Sequence, residues 1–206
     1  MSAFLGPIHY WLYNKIRLQQ AVVDKLCLIG NPLGLKLQEE CEERYGQFLN
    51  KPLEEMIDQG NIHGWLQERV SQVEYKYAYA VTKLTAAAPD IIEQLKGCLY
   101  LTGSEQAEAV KTSEVQKDAR KLFTLLTDQL LDGMPCDHTN RVIAQTETEV
   151  TWTRNLCVHT PYWEEVGGDI ALYYTLREAW MKGFFQEFGY QLEKTDDASY
   201  RIHAEL

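Results

Sequence analysis

The stretch RVIAQTETEVTWTR, from Arg141 to Arg154, decides the fold class of this 206-residue chain. Its β-branched residues pack well on a pleated surface, so the stretch predicts a β-hairpin and not a helix. Helical patterns fill the chain before it, to about residue 132, and a helix followed by two strands comes after it. We therefore expect an α+β fold, with the helical N-terminal two-thirds packed on a C-terminal β-hairpin–helix–β-hairpin unit.

The helical prediction is based on the spacing of apolar residues. In the tract that follows Asn61 these residues recur at steps of three and four: Leu66, Val70, Val73, Tyr77, Val81 and Leu84. Tyrosines alternate inside the same tract and on their own would suit a strand, but the longer helical pattern is favoured. A further helix is expected to begin at Ser113, because Ser113 and Gln116 have the spacing of a capping box.

The C-terminal elements are predicted from capping residues and from alternation. Asp169 is expected to cap a helix that ends at Gly189. The buried face of this helix is expected to comprise Leu172, Leu176, Trp180 and Phe184. The tail alternates on both sides of Asp196-Asp197, which predicts two strands joined by a turn.

Length and charge limit the class of protein. At 206 residues the chain can bury one core, so we expect a single compact α+β domain over residues 1–206, helical in 1–133 and mixed in 134–206. The net charge of −10 argues against a nucleic-acid or membrane partner. Both carry negative phosphate groups, and a protein binds these through clustered Lys and Arg. The sequence has neither a long apolar run nor the pattern of a signal peptide. We therefore expect a cytoplasmic protein whose five cysteines stay reduced.

Two matching tripeptides flank the predicted hairpin: Cys136-Asp137-His138 and Cys157-Val158-His159. In an extended segment, residues i and i+2 point to the same face, so each tripeptide would place a thiol beside an imidazole. If the hairpin turns at residues 147 and 148, Cys136 opposes His159 and His138 opposes Cys157, with Cβ atoms about 4.5–5.5 Å apart. Two thiolates and two imidazoles at this spacing suit Zn or Fe. We therefore predict a metal site at Cys136, His138, Cys157 and His159.

Two other interpretations of these residues stay open. In the first, Cys136 and Cys157 are half-buried thiols and the two histidines are polar loop residues. In the second, the protein uses no metal, and Cys157 is a catalytic nucleophile whose base is His159 or His138.

Aromatic residues near these positions are typical of a pocket for a small molecule. Tyr162 and Trp163 follow His159 directly, and His9 lies among aromatic residues near the start of the first helix. Aromatic rings offer apolar walls, and Tyr and Trp also carry a polar group, which suits a planar ligand. We take His9, Tyr162 and Trp163 as candidate lining of a ligand pocket.

The C-terminal stretch from Val142 to Leu206 resembles a known group of families in the order of its features. A β-hairpin ends in NLCVH, the helix DIALYYTLREAWMKGFFQEFGY follows, and a strand pair closes on SYRIHAEL. This order is similar to vinyl-reductase-type small-molecule-binding domains and to thiazoline-carboxylate hydrolase-like proteins. The resemblance implies an α+β fold, handling of a small molecule and, as in some members of these families, cysteine-centred metal or thiol chemistry, with Cys157 at the cysteine that precedes the helix. The final strand departs from the pattern, because it carries Tyr200, Ile202 and His203 where those families usually have a cysteine.

These observations predict a cytoplasmic protein that handles a small molecule at a Cys/His metal site, as metal-dependent hydrolases and lyases do. The first alternative is a metal-free hydrolase with a cysteine nucleophile. The second is a non-enzymatic module that binds a ligand or a protein partner, for example as a homodimer built on the aromatic helices.

Overall fold

The computed structural model describes residues 4–112 and 118–205. Its helices are α1 (Pro7–Gly30), α2 (Leu37–Tyr45), α3 (Leu53–Met56), α4 (Ile62–Ala87), α5 (Ile92–Val110), α6 (Ala119–Gln129), α7 (Thr160–Glu165) and α8 (Ile170–Gln186). Its strands are β1 (Asn140–Gln145), β2 (Glu149–Arg154), β3 (Tyr190–Lys194) and β4 (Ser199–Ala204). The capping box predicted at Ser113 and Gln116 lies outside the described residues.

The order of these elements confirms the α+β prediction. Helices occupy the described chain up to Gln129, and the strands follow in two pairs separated by α7 and α8. The tract with alternating tyrosines is helical throughout α4, as the longer apolar spacing predicted. Within the described residues, none of the helices is both long enough and apolar enough to cross a membrane.

The chain divides into two compact units, and each is built from three separated segments. Unit 1 comprises Met1–Asp90, Leu130–Cys136 and His159–Ile170. Unit 2 comprises Ile91–Gln129, Asp137–Val158 and Ala171–Leu206. A single compact domain over residues 1–206 stays a prediction, and the boundaries of the two units differ from the predicted change at residues 133 and 134.

The core of unit 1 forms where α1 packs along α4. Its buried residues include Leu12, Tyr13, Ile16, Leu66, Val70 and Val73, which recur at helical spacing on the two helices. Both α2 and α7 also pack against α4. Because α4 has neighbours on several sides, two of its charged residues, Glu74 and Lys76, are also buried.

The core of unit 2 forms on one face of an antiparallel sheet with the strand order β1-β2-β4-β3. Alternating residues of the two central strands are buried on this face: Val150, Trp152, Tyr200 and Ile202. The ring of Trp152 contacts Phe123 of α6, with 4.9 Å between ring centroids, and Phe185 of α8, at 6.4 Å. Helices α6 and α8 therefore cover the buried face of the sheet.

Two glycines allow α5 and α8 of unit 2 to approach each other at backbone distance. A Cβ atom added at Gly103 would overlap the carbonyl group of Trp180, and one added at Gly183 would overlap the carbonyl group of Tyr100. Each glycine thus leaves room for the backbone of the opposite helix. Sequence reasoning did not identify α5, because its buried residues include Gly103 and Ala107, which a search for large apolar side chains passes over.

The hairpin β1–β2 forms, but a β-bulge changes its predicted register. Near the turn Gln145 pairs with Val150, as expected for a turn at residues 147 and 148. A bulge between Val142 and Ala144 then moves the pairing by one residue, so that Asn140 faces Arg154. A one-residue shift places the following side chains on the other face of the strand.

The predicted pairing of the two Cys-x-His tripeptides across this hairpin therefore does not form. The strands end at Asn140 and Arg154, before either tripeptide is reached. Beyond them the backbone N–H of Asn155 donates to the carbonyl of Thr139, at 2.8 Å. Pairing of Cys136 with His159, and of His138 with Cys157, would require longer strands without the bulge.

Candidate functional site

Helix α7 of unit 1 is held on α4 by polar and aromatic contacts, and these place His159. The hydroxyl oxygens of Ser71 and Tyr162 lie 3.1 Å apart. The rings of Tyr77 and Trp163 meet edge to face, with their centroids 6.0 Å apart. His159 is the residue immediately before α7, so these contacts fix it over the middle of α4.

The imidazole of His159 lies between two carboxyl groups of unit 1. Its Nδ1 atom is 3.0 Å from Oε2 of Glu74, and its Nε2 atom is 3.4 Å from Oδ1 of Asp132. The side chains of His159 and Glu74 are 3% and 2% exposed, whereas that of Asp132 is 17% exposed. The cluster is therefore closed at Glu74 and reaches solvent at Asp132.

The two carboxyl groups control the protonation of His159. Burial on its own lowers the pKa of the imidazole, because it disfavours the charged form. The charge of Glu74, together with hydrogen bonds to Asp132 and Glu74, outweighs burial and raises the pKa of His159 to about 9. At neutral pH the ring is therefore an imidazolium held between two acids.

The same geometry suits a metal ion on the Asp132 side of the ring. A charge-assisted hydrogen bond has an N···O distance of about 2.7–2.9 Å, so the 3.4 Å between Nε2 of His159 and Oδ1 of Asp132 is long for one. Two ligand atoms that each lie about 2.1 Å from a tetrahedral ion are about 3.4 Å apart. On the other side, Glu74 accepts from Nδ1, which is the usual outer partner of a metal-binding histidine.

The other three predicted metal ligands lie in different surroundings. Cys136 is exposed, in a 3-10 turn at Pro135–Asp137 that begins in unit 1. His138 and Cys157 belong to unit 2, where His138 has a positive φ of 49°. Within residues 4–112 and 118–205, no group of three or more His, Cys, Asp and Glu side chains is placed to hold a metal ion.

Cys157, the predicted nucleophile, is partly exposed and lies beside Tyr174 in unit 2. Burial, and then a hydrogen bond with the Cys157 thiol, raise the pKa of the Tyr174 hydroxyl. The guanidinium of Arg154 stacks on the Tyr174 ring, 3.7 Å from its centroid. Both ring nitrogens of His159 face carboxyl groups, so His159 would have to leave one of them in order to act as the base for Cys157.

The three residues predicted to line a pocket each contact a different neighbour. Nδ1 of His9 accepts from the backbone N–H of Gly6, at 2.9 Å, and the ring packs near that of His63. Tyr162 contacts α4 through its hydroxyl and its ring. Trp163 is completely buried in the core of unit 1. A role for these three residues in binding a ligand stays a prediction.

Sequence reasoning found His159 and missed both of its partners. Glu74 is 85 residues away from His159 along the chain and Asp132 is 27 residues away, so no local motif joins them. One signal was present in α4. Glu74 lies one helical turn after Val70 and one turn before Ala78, and both of these are buried. A carboxylate in that row of the helix indicates a buried ionic partner.

Searches against protein-family models, curated proteins and solved structures gave no match for this chain.

Proposed function

We propose that this protein binds a divalent transition-metal ion, zinc or ferrous iron, at His159 and Asp132, and acts with it on a small molecule. One observation carries the proposal. A buried imidazole has a carboxylate at hydrogen-bond distance from Nδ1 and a second, partly exposed carboxylate at ligand–ligand distance from Nε2.

Each residue of the cluster has its own role in this proposal. Nε2 of His159 and a carboxylate oxygen of Asp132 bind the ion, and Glu74 orients the ring by accepting from Nδ1–H. Because Asp132 is the partly exposed member of the cluster, water or a substrate oxygen would take the remaining positions from that side. A bound zinc or iron ion lowers the pKa of coordinated water and polarises a bound oxygen, which suits hydrolysis or elimination on a small molecule.

The competing explanation is a purely structural ion cluster, in which the charged imidazole joins the two acids without a metal. The two explanations differ in what happens to one proton. A metal ion must displace the proton from Nε2, whereas the structural cluster depends on it. Metal binding should therefore become tighter as the pH rises towards about 9, by about tenfold per pH unit for one displaced proton.

The test is calorimetric titration of the reduced full chain with zinc, and with ferrous iron without oxygen, at several pH values. We expect one ion per chain and the release of one proton. Glu74→Gln should weaken binding by about 10–100-fold, as is typical for an outer partner, and Asp132→Asn should weaken it further. Asp90→Asn is the matched control, because Asp90 is an exposed acid outside the cluster.

Two results would refute this assignment: no binding to the folded chain, or equal affinity in wild type, Asp132→Asn and Asp90→Asn.

Cys136, one of the two cysteines predicted as ligands, has a separate test in Co²⁺-loaded protein. Strong near-ultraviolet thiolate absorption that disappears in Cys136→Ser would add Cys136 to the ligands of the ion. Absence of this absorption in the wild-type protein would leave His159 and Asp132 as the ligands that the chain supplies.

A further inference from the structure

A groove between α1 and α2 of unit 1 shares no residue with the His159 cluster. Its volume is about 460 Å³, and the segment that follows α2 completes its wall. Pockets for small molecules commonly have volumes of about 300–1,000 Å³. The lining includes three charged side chains, those of Arg17, Asp24 and Glu42. The groove is therefore large enough for a small molecule and carries both signs of charge.

The three charged groups of the groove are bound to neutral amides and not to one another. Nε of Arg17 donates to Oδ1 of Asn50, at 2.8 Å. Oδ1 of Asp24 accepts from Nε2 of Gln20, at 2.6 Å, and Glu42 accepts from a glutamine amide of α2. In the part of the chain that the structure describes, none of the three forms an ion pair. Their charges are therefore available to a ligand.

The geometry of α1 separates the guanidinium from one of the carboxylates. Arg17, Gln20 and Asp24 lie at positions i, i+3 and i+7, so they follow one face of the helix. Along the helix axis, the Cα atoms of Arg17 and Asp24 are about 10 Å apart. A ligand that contacts both side chains must therefore carry its two charges several bonds apart.

Gln20 is the buried member of the groove, with only 6% of its surface exposed. An ionised carboxylate can only accept, so the bond to Asp24 fixes the amide nitrogen of Gln20 on that side. Within residues 4–112 and 118–205, the amide oxygen of Gln20 is shielded from solvent and has no hydrogen-bond partner. Buried acceptors are nearly always paired, so this oxygen indicates a place for a donor. An ammonium group has three N–H donors and can bond both this oxygen and Asp24.

We propose that this groove binds a small linear zwitterion. Its ammonium group bonds Asp24, Glu42 and the amide oxygen of Gln20. Its carboxylate accepts from the two terminal nitrogens of Arg17, which the bond to Asn50 leaves available. The inference does not depend on the proposed metal site, because none of these residues belongs to the His159 cluster.

The test follows the amide signals of the isotope-labelled full chain by NMR while one of three probes is added. The probes are ε-aminocaproate, which carries both charges, hexylamine, which carries only the ammonium group, and caproate, which carries only the carboxylate. We expect ε-aminocaproate to shift the signals of α1 around Gln20, including its side-chain amide. It should bind about tenfold more tightly than either of the other probes, since each of them lacks one charge-assisted contact.

Substitutions in α1 assign the two ends of the ligand. Arg17→Gln should remove the advantage of ε-aminocaproate over hexylamine, and Asp24→Asn should remove its advantage over caproate. Gln20→Met keeps much of the side-chain volume without the amide. It should weaken binding of ε-aminocaproate and hexylamine by the same factor and leave caproate unchanged. Glu43→Gln is the matched control, because Glu43 is an exposed acid of α2 outside the lining, and it should leave all three affinities unchanged.

Three outcomes would overturn the proposal. In the first, ε-aminocaproate shifts no signals of α1. In the second, hexylamine binds the wild-type chain as tightly as ε-aminocaproate, which would make the groove a site for cations alone. In the third, Asp24→Asn and Glu43→Gln weaken binding of ε-aminocaproate equally. The same spectra show whether each variant is folded, so a loss of binding through unfolding is recognised directly.

Discussion

The two units differ in what they bury. Among the described residues, the buried charged side chains lie in unit 1: Lys15, Glu74, Lys76 and His159. The polar residues buried in unit 2 are uncharged: Gln129, Thr139 and Ser199. A buried charge lowers stability unless it is paired, whereas close apolar packing raises it. The comparison indicates that unit 1 depends on pairing its buried charges, whereas unit 2 depends on packing.

Removing the imidazole of His159 in unit 1 should have the largest effect on stability. His159→Ala leaves the buried carboxylate of Glu74 without its partner, and we expect the free energy of unfolding to fall by about 3–5 kcal/mol. The measurement is urea denaturation at pH 7. His203→Ala, at a partly exposed position of unit 2, is the matched control and should change stability by no more than about 0.5 kcal/mol. Equal losses in the two variants would remove the distinction between the units.

The second prediction concerns pH. The folded pKa of His159, about 9, lies above its ordinary value of 6.5, so the protonated ring stabilises the fold below pH 6.5. That contribution, about 3 kcal/mol, should be lost as the pH rises through 9. Denaturation in the presence of a chelator, at pH values from 6 to 10, would measure it. His159→Ala should lack this slope, and a wild-type curve that is flat over the same range would contradict the assigned protonation state.

A substitution in unit 2 tests whether its stability depends on packing. Gly183→Ala would force α5 and α8 apart, because the new Cβ overlaps the carbonyl group of Tyr100. We expect a loss of about 1–3 kcal/mol from overpacking, measured by thermal denaturation. Gly97→Ala is the matched control, since nothing lies within 4 Å of its Cβ position in α5. It should be neutral or stabilise the helix by up to about 1 kcal/mol. If both variants lose the same stability, the close helix contact is not important.

The smallest effect is expected for the hydrogen bond between α4 and α7. Ser71→Ala and Tyr162→Phe should each lower stability by about 1 kcal/mol, because both remove the contact between the two hydroxyl groups. The double variant should lose less than the sum of the two, which a double-mutant cycle would show. Strict additivity would mean that this bond does not help to hold α7 in place.

Local patterns predicted much of the fold. The spacing of Leu66, Val70 and Val73 predicted α4, the β-branched run predicted the first hairpin, and alternation around Asp196 predicted the second. Each of these signals lies within one element or between two adjacent strands. The contact between Gly103 and Trp180 gave no such signal, because it depends on a neighbouring helix and not on a large side chain.

The candidate site was less accessible to sequence reasoning for a similar reason. His159 was identified from a tripeptide, but its environment depends on Glu74 and Asp132, which tertiary packing brings to it. The β-bulge near Val142 was also unpredicted, since it adds a residue to one strand without any glycine or proline to mark it. The matching Cys-x-His tripeptides were therefore assigned to strands that end before reaching them.

Because unit 1 is built from three separated segments, it cannot be completed early during synthesis on the ribosome. Helix α4 is synthesised long before His159, so Glu74 emerges without the cation that later neutralises it. A carboxylate in this position should stay hydrated, which delays closure of the N-terminal helices around it. Domains generally fold as units during synthesis, and this unit is complete only when residues 159–170 have been added. Nascent chains stopped before residue 159 should therefore be more sensitive to protease, and more dependent on chaperones, than chains stopped after residue 170.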